Sequence, residues 1–478
     1  TAIPASVFGP RDEFGVEDSH VIAALMVKMH QTKLLQTKTA EVWGSGGNGG
    51  FSPPPVPYVF SQIPNTRLVG KGIRTNRGGA RAWRAPNHPQ GCLLTMSALD
   101  DMAAALRMDS LEFFLKNLQF TESPPNRPPF APIYAEELKI AADLIGYKDK
   151  AHLRGEGGEG PVKRGLGIAL HTWGGRGHPS ECDLTINQDG SVLARIGSQD
   201  LGVGTRTVIG MVIAETLGLP LEEVTVELGK NASPRSGGSG GSTTIGGVSV
   251  SSRKAATDAL NALLQAVAAR LNTSPENLEA ANGTIRQIDK PENRLNWKQA
   301  CALLGPNPIS KRGVNEQGES EQAGLISQGV GGVQIADVSV DTETGIVTMN
   351  EMVAVQDCGL MINMKLAESQ VYGSLIMGIT YALFEEAVYD RKTGRMLNAD
   401  MEFYRLAGIK DIGQLKVHMM TGPGYDDRGV IGLGEPPVIS PGAAISNAVA
   451  NACGVRVPYL PLTPDRVLTA LNEGGKIA

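Results

Sequence analysis

The chain is poor in several kinds of residue that would mark a function. It has five cysteines, Cys92, Cys182, Cys301, Cys358 and Cys453, scattered and with no CxxC spacing. That argues against a disulfide scaffold, a structural zinc site or an iron–sulfur cluster carried by this chain. Ordinary buried thiols in a cytoplasmic, reducing compartment are expected, the periplasm being reached only through an exported partner. Aromatic residues make up 5%. No apolar run reaches about 18 residues, so no membrane span is expected. The net charge of −5 gives neither the basic face of a nucleic-acid binder nor a polybasic membrane anchor. With 41% hydrophobic and 19% charged residues, the composition is that of a globular chain. Its 478 residues suggest two to four domains at about 150 residues each. The sequence opens Thr-Ala-Ile-Pro, without Met and without a signal-peptide pattern, which fits a processed, truncated or divided polypeptide. Ile3-Pro4 reads as ordinary loop, a poor setting for Thr1 as a nucleophile.

Glycine, by contrast, is abundant: 59 residues, against an average of about 7%. With no collagen period and no low-complexity tract, this excess implies tight turns or backbone brought close to a ligand. Periodicity predicts helices over 91–106, 111–118 (capped by Asp109-Ser110), 205–217, 250–271, 365–384, 445–453 and 464–472. Strands are predicted over 67–75, 165–172, 183–186, 191–196, 224–228, 331–341 and 346–358. Residues 21–29 fit either a strand or a short helix. The segments 43–57 and 81–90 read as irregular loops. The Gly/Glu-rich stretch Gly155–Pro161 is the best domain boundary. Strands and helices mix without regular βαβ alternation, so the expected class is α+β.

Four glycine clusters lead into helices: Arg77-Gly78-Gly79 ahead of Arg84–Gln90, Asp200-Leu201-Gly202-Val203-Gly204-Thr205, Gly237–Thr243, and Gly432-Leu433-Gly434-Glu435-Pro436-Pro437. A helix N-terminus offers unpaired N–H groups and partial positive charge, and small residues let an anion approach them. Four such loops fit a large polyanionic ligand held by backbone; capped helices in a turn-rich fold are the other reading. Neither a P-loop nor a Rossmann fingerprint is present. Glu435 stands out because it lies in an otherwise uncharged apolar stretch, Val430–Ile439, stiffened by two prolines. A carboxylate there should have a raised pKa and suit a general base; the plainer alternative is a helix-start glutamate paired with an N–H or an arginine. Asp200 reads as a cap for the helix near Thr205, and Arg84 as an anion binder or a surface arginine. His88, His171 and His178 lack metal-ligand spacing.

Ala82-Trp83-Arg84-Ala85-Pro86-Asn87-His88-Pro89-Gln90 resembles the arginine loop of the molybdenum hydroxylases, the xanthine dehydrogenase/aldehyde oxidoreductase family. Gly197–Thr207 and Ser236–Gly246 are similar to two of that family's cofactor loops. Asp357-Cys358-Gly359 with Asn363, then Glu368-Ser369-Gln370 with Gly373, resembles its Asp-x-Gly…Glu-Gly-Gln segment. Gly432–Pro437 matches its Gly-x-Gly-Glu-Pro-Pro signature, and the tail 454–464 is also similar. The matches run in family order from about Trp43 to Leu471.

The resemblance implies two mixed molybdenum-cofactor-binding domains, with neither Rossmann nor TIM architecture. The C-terminal part of the first would occupy 1–155 and the second 162–478. It implies a molybdopterin-binding catalytic subunit that hydroxylates an aldehyde or N-heterocycle using water. Glu435 would be the base that takes a proton from a molybdenum-bound hydroxyl, with Arg84 beside it. Backbone at Ala85, Leu201, Gly202, Val203, Gly204, Gly238, Ser239, Gly240, Gly241, Ser242, Thr243 and Gly434 would cradle a molybdenum–molybdopterin cofactor in its cytosine dinucleotide form. No protein side chain is expected to ligate the metal. Iron–sulfur clusters and FAD would sit on partner chains.

Family large subunits extend several hundred residues further at the N-terminus. A separate chain carrying that half is therefore an expected partner, unless this chain is a fragment. Val203 and Met377 stand where glutamine is common, and Pro86 where many members have Phe, which disfavours xanthine. The arginine loop has no cysteine, which disfavours carbon monoxide. The alternative is a non-catalytic scaffold or assembly subunit that keeps the fold without the cofactor.

Overall fold

In the computed structural model, residues 44–45, 54–69, 72–73, 82–121, 130–175, 177–316 and 330–474 are described. The expectations for 21–29, for Arg77-Gly78-Gly79 and for most of 43–53 and 70–81 lie outside them. The strands in chain order are β1 (Gly44–Ser45), β2 (Gly72–Ile73), β3 (Val162–Trp173), β4 (Ser180–Ile186), β5 (Val192–Ile196), β6 (Val224–Leu228), β7 (Leu278–Ala281), β8 (Thr284–Gln287), β9 (Arg294–Asn296), β10 (Ile309–Asn315), β11 (Val330–Asp341), β12 (Val347–Gln356) and β13 (Gln414–Met419). The helices are α1 (His88–Ala105), α2 (Ser110–Asn117), α3 (Phe130–Ile145), α4 (Tyr147–Lys150), α5 (Thr205–Leu217), α6 (Thr244–Leu271), α7 (Trp297–Cys301), α8 (Met364–Leu383), α9 (Pro441–Cys453) and α10 (Pro464–Glu473). None of the described helices is long and apolar enough to cross a membrane.

Two mixed four-stranded sheets organise the α+β fold, in the orders β13-β12-β11-β3 and β10-β4-β5-β6. In the first, β11 runs antiparallel to both neighbours, while β12 and β13 are parallel. Its two central strands are buried on both faces over most of their length, and Ile168, Val333, Ile335, Val353 and Val355 are fully or almost fully buried. Such runs need cover on each side, which α9 supplies on one face. The approach is close because the facing residues are small. Gly165 and Gly167 of β3 lie directly against the backbone of α9 at Ala444, Ala448 and Ala452. The second sheet packs on α5 and α6 through a separate core that includes Leu184, Ile196, Ile209, Leu263 and Val267.

The first core joins residues on both sides of the Gly155–Pro161 segment: Tyr58, Met96, Phe114 and Leu138 pack with Leu170, Val333 and Ile445. Continuity of this kind is invisible to composition, which marks exposed chain wherever it is rich in Gly and Glu. Helix α3 is an addition to the sequence expectation, because the prolines ahead of it read as loop. Once past them, Phe130, Tyr134, Leu138, Ala141 and Ile145 form a buried stripe at helical spacing. The short strands β7 to β10 and the parallel edge strand β13 are further additions, since they are too short or too polar to show a period. Helix α6 starts six residues before the expected Val250, taking in Gly246 and Gly247. Those glycines are buried where a side chain would meet Gly177 or His178, so packing overrides their low helix propensity. Asp109 caps α2 as expected, accepting from the Glu112 N–H at 3.0 Å.

One buried group gives a stability prediction. Glu137 on α3 is fully buried, and among the described residues neither of its carboxyl oxygens has a hydrogen-bond partner. Burial raises its pKa well above the usual carboxylate value; Asp357 and Glu136 add to this, and Arg428 opposes it. A folded-state pKa above the unfolded one means that stability falls as pH rises past the unfolded value. Glu137→Gln removes that loss. The variant should unfold at the same temperature as the wild type near pH 4 and at a progressively higher temperature as pH rises towards 8. Thermal unfolding across that range checks it; a constant difference would show Glu137 to be ionised or paired in the fold.

Candidate cofactor and base site

Three loops converge on one carboxylate. Glu435 leads a single helical turn, Pro436–Val438, just before α9. Its Oε1 accepts a hydrogen bond from the Ala85 N–H at 3.2 Å, and its Oε2 accepts from the Ser242 hydroxyl at 3.2 Å. The same hydroxyl oxygen accepts from the Glu435 N–H at 2.9 Å. Both partners sit in the left-handed region, Ala85 at φ 55° and Ser242 at φ 61°. Neither is glycine, so the surrounding structure holds them there at a cost. Gly432 shows how tightly the loops fit: a Cβ there would overlap the Ser242 carbonyl oxygen.

The turn that carries Glu435 is fixed from behind. Gln334 Nε2 donates to the Pro437 carbonyl at 2.7 Å. The Tyr381 hydroxyl donates to the Val438 carbonyl and accepts from the Gly442 N–H, both at 3.0 Å. His171 bridges Ser440 Oγ and Gln356 Oε1 at 2.8 and 2.9 Å; burial lowers its pKa to about 4, so it is neutral at pH 7. Burial raises the Glu435 carboxyl above its ordinary value, while the Ala85 N–H, the Ser242 hydroxyl and Arg84 pull it partly back.

Arg84 enters from the loop before α1. Its Nε donates to the Gly434 carbonyl at 2.6 Å, and its terminal nitrogens reach the Gln370 carbonyl and amide oxygens at 3.2 and 3.3 Å and Met377 Sδ at 3.5 Å. None of these acceptors is charged. Burial lowers the guanidinium pKa to about 10, with Glu435 opposing the shift, so Arg84 stays cationic at neutral pH. Gln370 and Met377 lie on α8. Both positions belong to the family resemblance, but nothing in their spacing signals that they hold Arg84.

The remaining expected cofactor residues fall into two groups. Along Ser236–Thr243, positions Gly238 and Gly240 have nothing within 4 Å of where a Cβ would lie, and α6 begins with no side-chain cap. The loop is anchored along its length: Trp173 Nε1 donates to the Gly241 carbonyl at 2.9 Å, and the Ser239 N–H donates to Gln199 Oε1 at 2.7 Å. Trp173 also packs against His88, with ring centroids 4.3 Å apart and planes tilted by 56°. In the second group, Asp200 Oδ1 accepts from the N–H groups of Gly202, Val203 and Gly204 at 3.0, 3.1 and 3.2 Å, and Oδ2 from Arg206 N–H at 3.1 Å. Partial burial raises the Asp200 carboxyl, but these four N–H groups outweigh it and leave the pKa lowered. The N-terminus of α5 is thus neutralised by this chain's own carboxylate, as the capping reading expects. Leu201 and Val203 are 68% and 37% exposed beside it.

Of the other singled-out residues, Asn363 caps α8, accepting from the Leu366 N–H at 3.0 Å. Asp357 is buried in an ion pair with Arg428. Among the described residues, no group of three His, Cys, Asp or Glu side chains is placed to hold a metal ion.

Comparison with known proteins identifies relatives by sequence and by fold. The family of the molybdopterin cofactor-binding domain matches residues 140–413, and a second model with the same description matches residues 48–118. The xanthine dehydrogenase molybdenum-binding subunit of Escherichia coli O157:H7 is 30% identical over 446 residues, covering 91% of this chain and 58% of that protein. The aldehyde oxidoreductase molybdenum-binding subunit of Escherichia coli K12 is 30% identical over 493 residues, covering 98% of this chain and 64% of its own length. The chain thus spans about six tenths of the length of these curated relatives. A Cu,Mo-CO dehydrogenase structure shares the fold, with a TM-score of 0.76 at 23% identity over 91% of this chain and 60% of that one. By sequence profile, this chain belongs to the molybdopterin cofactor-binding domain family.

Proposed function

We propose that the chain is the molybdenum-cofactor-binding part of an oxidoreductase that hydroxylates an aldehyde or N-heterocycle with water as the oxygen source, and that Glu435 is its general base. The observation that carries this reading is the placement of Glu435. Its carboxylate is part-buried and held between two left-handed residues, with a cationic arginine anchored one residue upstream.

The residues present fit the cofactor unevenly. Gly238 and Gly240 present open backbone where a phosphate or pterin edge could be held by N–H groups, with Gly241, Ser242 and Gly434 beside them; the N–H groups of Ala85, Ser239 and Thr243 are already bonded to Glu435, Gln199 and the Gly240 carbonyl. Leu201, Gly202, Val203 and Gly204 belong to the proposed cradle too, but there Asp200 already uses three of the N–H groups. When bound, the molybdenum cofactor supplies the two-electron oxidant for the substrate C–H bond. The protein's part is to hold a proton acceptor in place. Glu435 Oε1 and Oε2 each keep a free lone pair beyond the bonds to Ala85 and Ser242, and the raised pKa brings the carboxylate nearer the working pH of a base. Arg84, bound to neutral groups, keeps its charge available to a developing negative oxygen.

Electrons would leave through an iron–sulfur subunit and a flavin subunit. The cytosine dinucleotide form of the pterin belongs to the same reading; the expected division into domains at 155–162 does not, because one core spans that segment. The Asp200 cap is the observation that favours the rival, a scaffold without cofactor. The expected result is about one molybdenum per chain in the purified complex, by metal analysis, and one cytidine nucleotide released on acid treatment. Absence of both would establish the scaffold reading.

A further inference from the structure

We infer that Ser242 is the positioning residue for Glu435: one hydroxyl grips both the backbone and the carboxylate of the base and fixes the direction in which that carboxylate points. The inference rests on the reading of Glu435 as base. Its own observations are the two bonds made by a single Oγ, accepting from the Glu435 N–H at 2.9 Å and donating to Oε2 at 3.2 Å. A serine that merely completed a glycine-rich loop would be expected to sit in relaxed backbone. Ser242 instead sits at φ 61°, a conformation in which glycine would be unstrained. Its backbone also lies so close to Gly432 that no side chain fits there. The loop thus keeps a hydroxyl at the residue before Thr243, although the neighbouring Gly237–Gly241 stretch is built mostly of glycine.

The chemistry follows from the proton count. Ser242 has one hydroxyl proton, and it goes to Oε2; its lone pair takes the Glu435 N–H. This arrangement serves the carboxylate and not the carboxylic acid, so it favours the ionised base. With Ala85 N–H on Oε1, the two bonds define the carboxylate plane. Other groups reach the same region without replacing this one. Arg84 faces Glu435 as a charge but spends its hydrogen bonds on Gly434, Gln370 and Met377. Tyr381 of α8 and His171 of β3 hold the following turn through Val438 and Ser440.

Ser242→Gly is the discriminating variant, because it removes the hydroxyl while relieving the backbone, and Ser242→Ala removes the hydroxyl alone. Both should fold and keep molybdenum. In the cofactor-free complex, the Glu435 carboxyl band, identified by its loss in Glu435→Gln, should titrate about one pH unit higher in Ser242→Gly. In the loaded complex, assayed with an aldehyde and an artificial electron acceptor, the acid limb of kcat/KM should move up by the same amount. A Glu435 titration unchanged in both variants would overturn the role given to Ser242. A shifted titration with an unshifted kcat/KM profile would support the Ser242–Glu435 coupling and remove Glu435 as the base.

Discussion

Replacing Glu435 with Gln should lower kcat by a factor of about 10³, within the range of about 10²–10⁴ that a positioned general base contributes. KM should change little, since the side chain is proposed to act on a proton and not to bind substrate. The substitution is nearly isosteric. The amide oxygen can still accept from the Ala85 N–H, which reaches Oε1 at 3.2 Å, and Ser242 can still bond the backbone N–H of residue 435 at 2.9 Å. What the amide cannot do is take a proton near neutral pH. Molybdenum and nucleotide content should therefore match the wild type. Single-turnover kinetics measured beside metal analysis separates the outcomes: metal retained with normal turnover would remove Glu435 as base, and metal lost would assign it to the fold of the site.

Gly167→Ala should be among the most damaging single-methyl additions to the fold. Strand β3 runs beneath α9, and a Cβ on Gly167 would overlap the Ala444 carbonyl oxygen and the Ala448 nitrogen. Both are helix backbone, so no side chain can swing away. The whole of α9 would have to lift from the sheet, at a cost of about 3 kcal/mol or more, the upper part of the range for overpacking a core. The effect should spread to function, because β3 ends in Trp173, which holds the Gly241 carbonyl, and α9 begins directly after the Glu435 turn. Gly174→Ala is the control, having no atom within 4 Å of its Cβ position and no left-handed backbone. Urea unfolding of the two variants checks the contrast, and equal midpoints would show that α9 packs more loosely than the strand–helix contact implies.

Much of the candidate site is legible in the amino-acid order, for specific reasons. Glu435 stands out as the one charge in an apolar stretch flanked by prolines. Local chemistry of that kind survives folding, since the Pro436-Pro437 pair stiffens the turn whatever packs around it. The helix after Gly204 and its end at Gly218 are legible for the same reason: Gly218 adopts φ 66°, a left-handed cap that glycine takes without strain. Asp200 is legible as a cap but not as an obstacle. Which of its neighbours' N–H groups it consumes depends on the path of the loop, and spacing alone leaves those groups free for a ligand.

Periodicity, proline and glycine act within a few residues, so they suffice to set the α+β class, the long helices other than α3, the long strands, and the singular position of the Glu435 carboxylate. The remaining features arise only when distant segments pack. That Ser242 and Ala85 meet Glu435 from positions 193 and 350 residues away does not follow from local preference. Nor does the pairing of Arg84 with Gln370 and Met377 on α8, or a core that unites residues 58–170 with 330–470. These contacts exist because two sheets and their covering helices fix where the loops end, and hydrogen bonds of 2.6 to 3.5 Å form only once burial has brought remote segments of chain together.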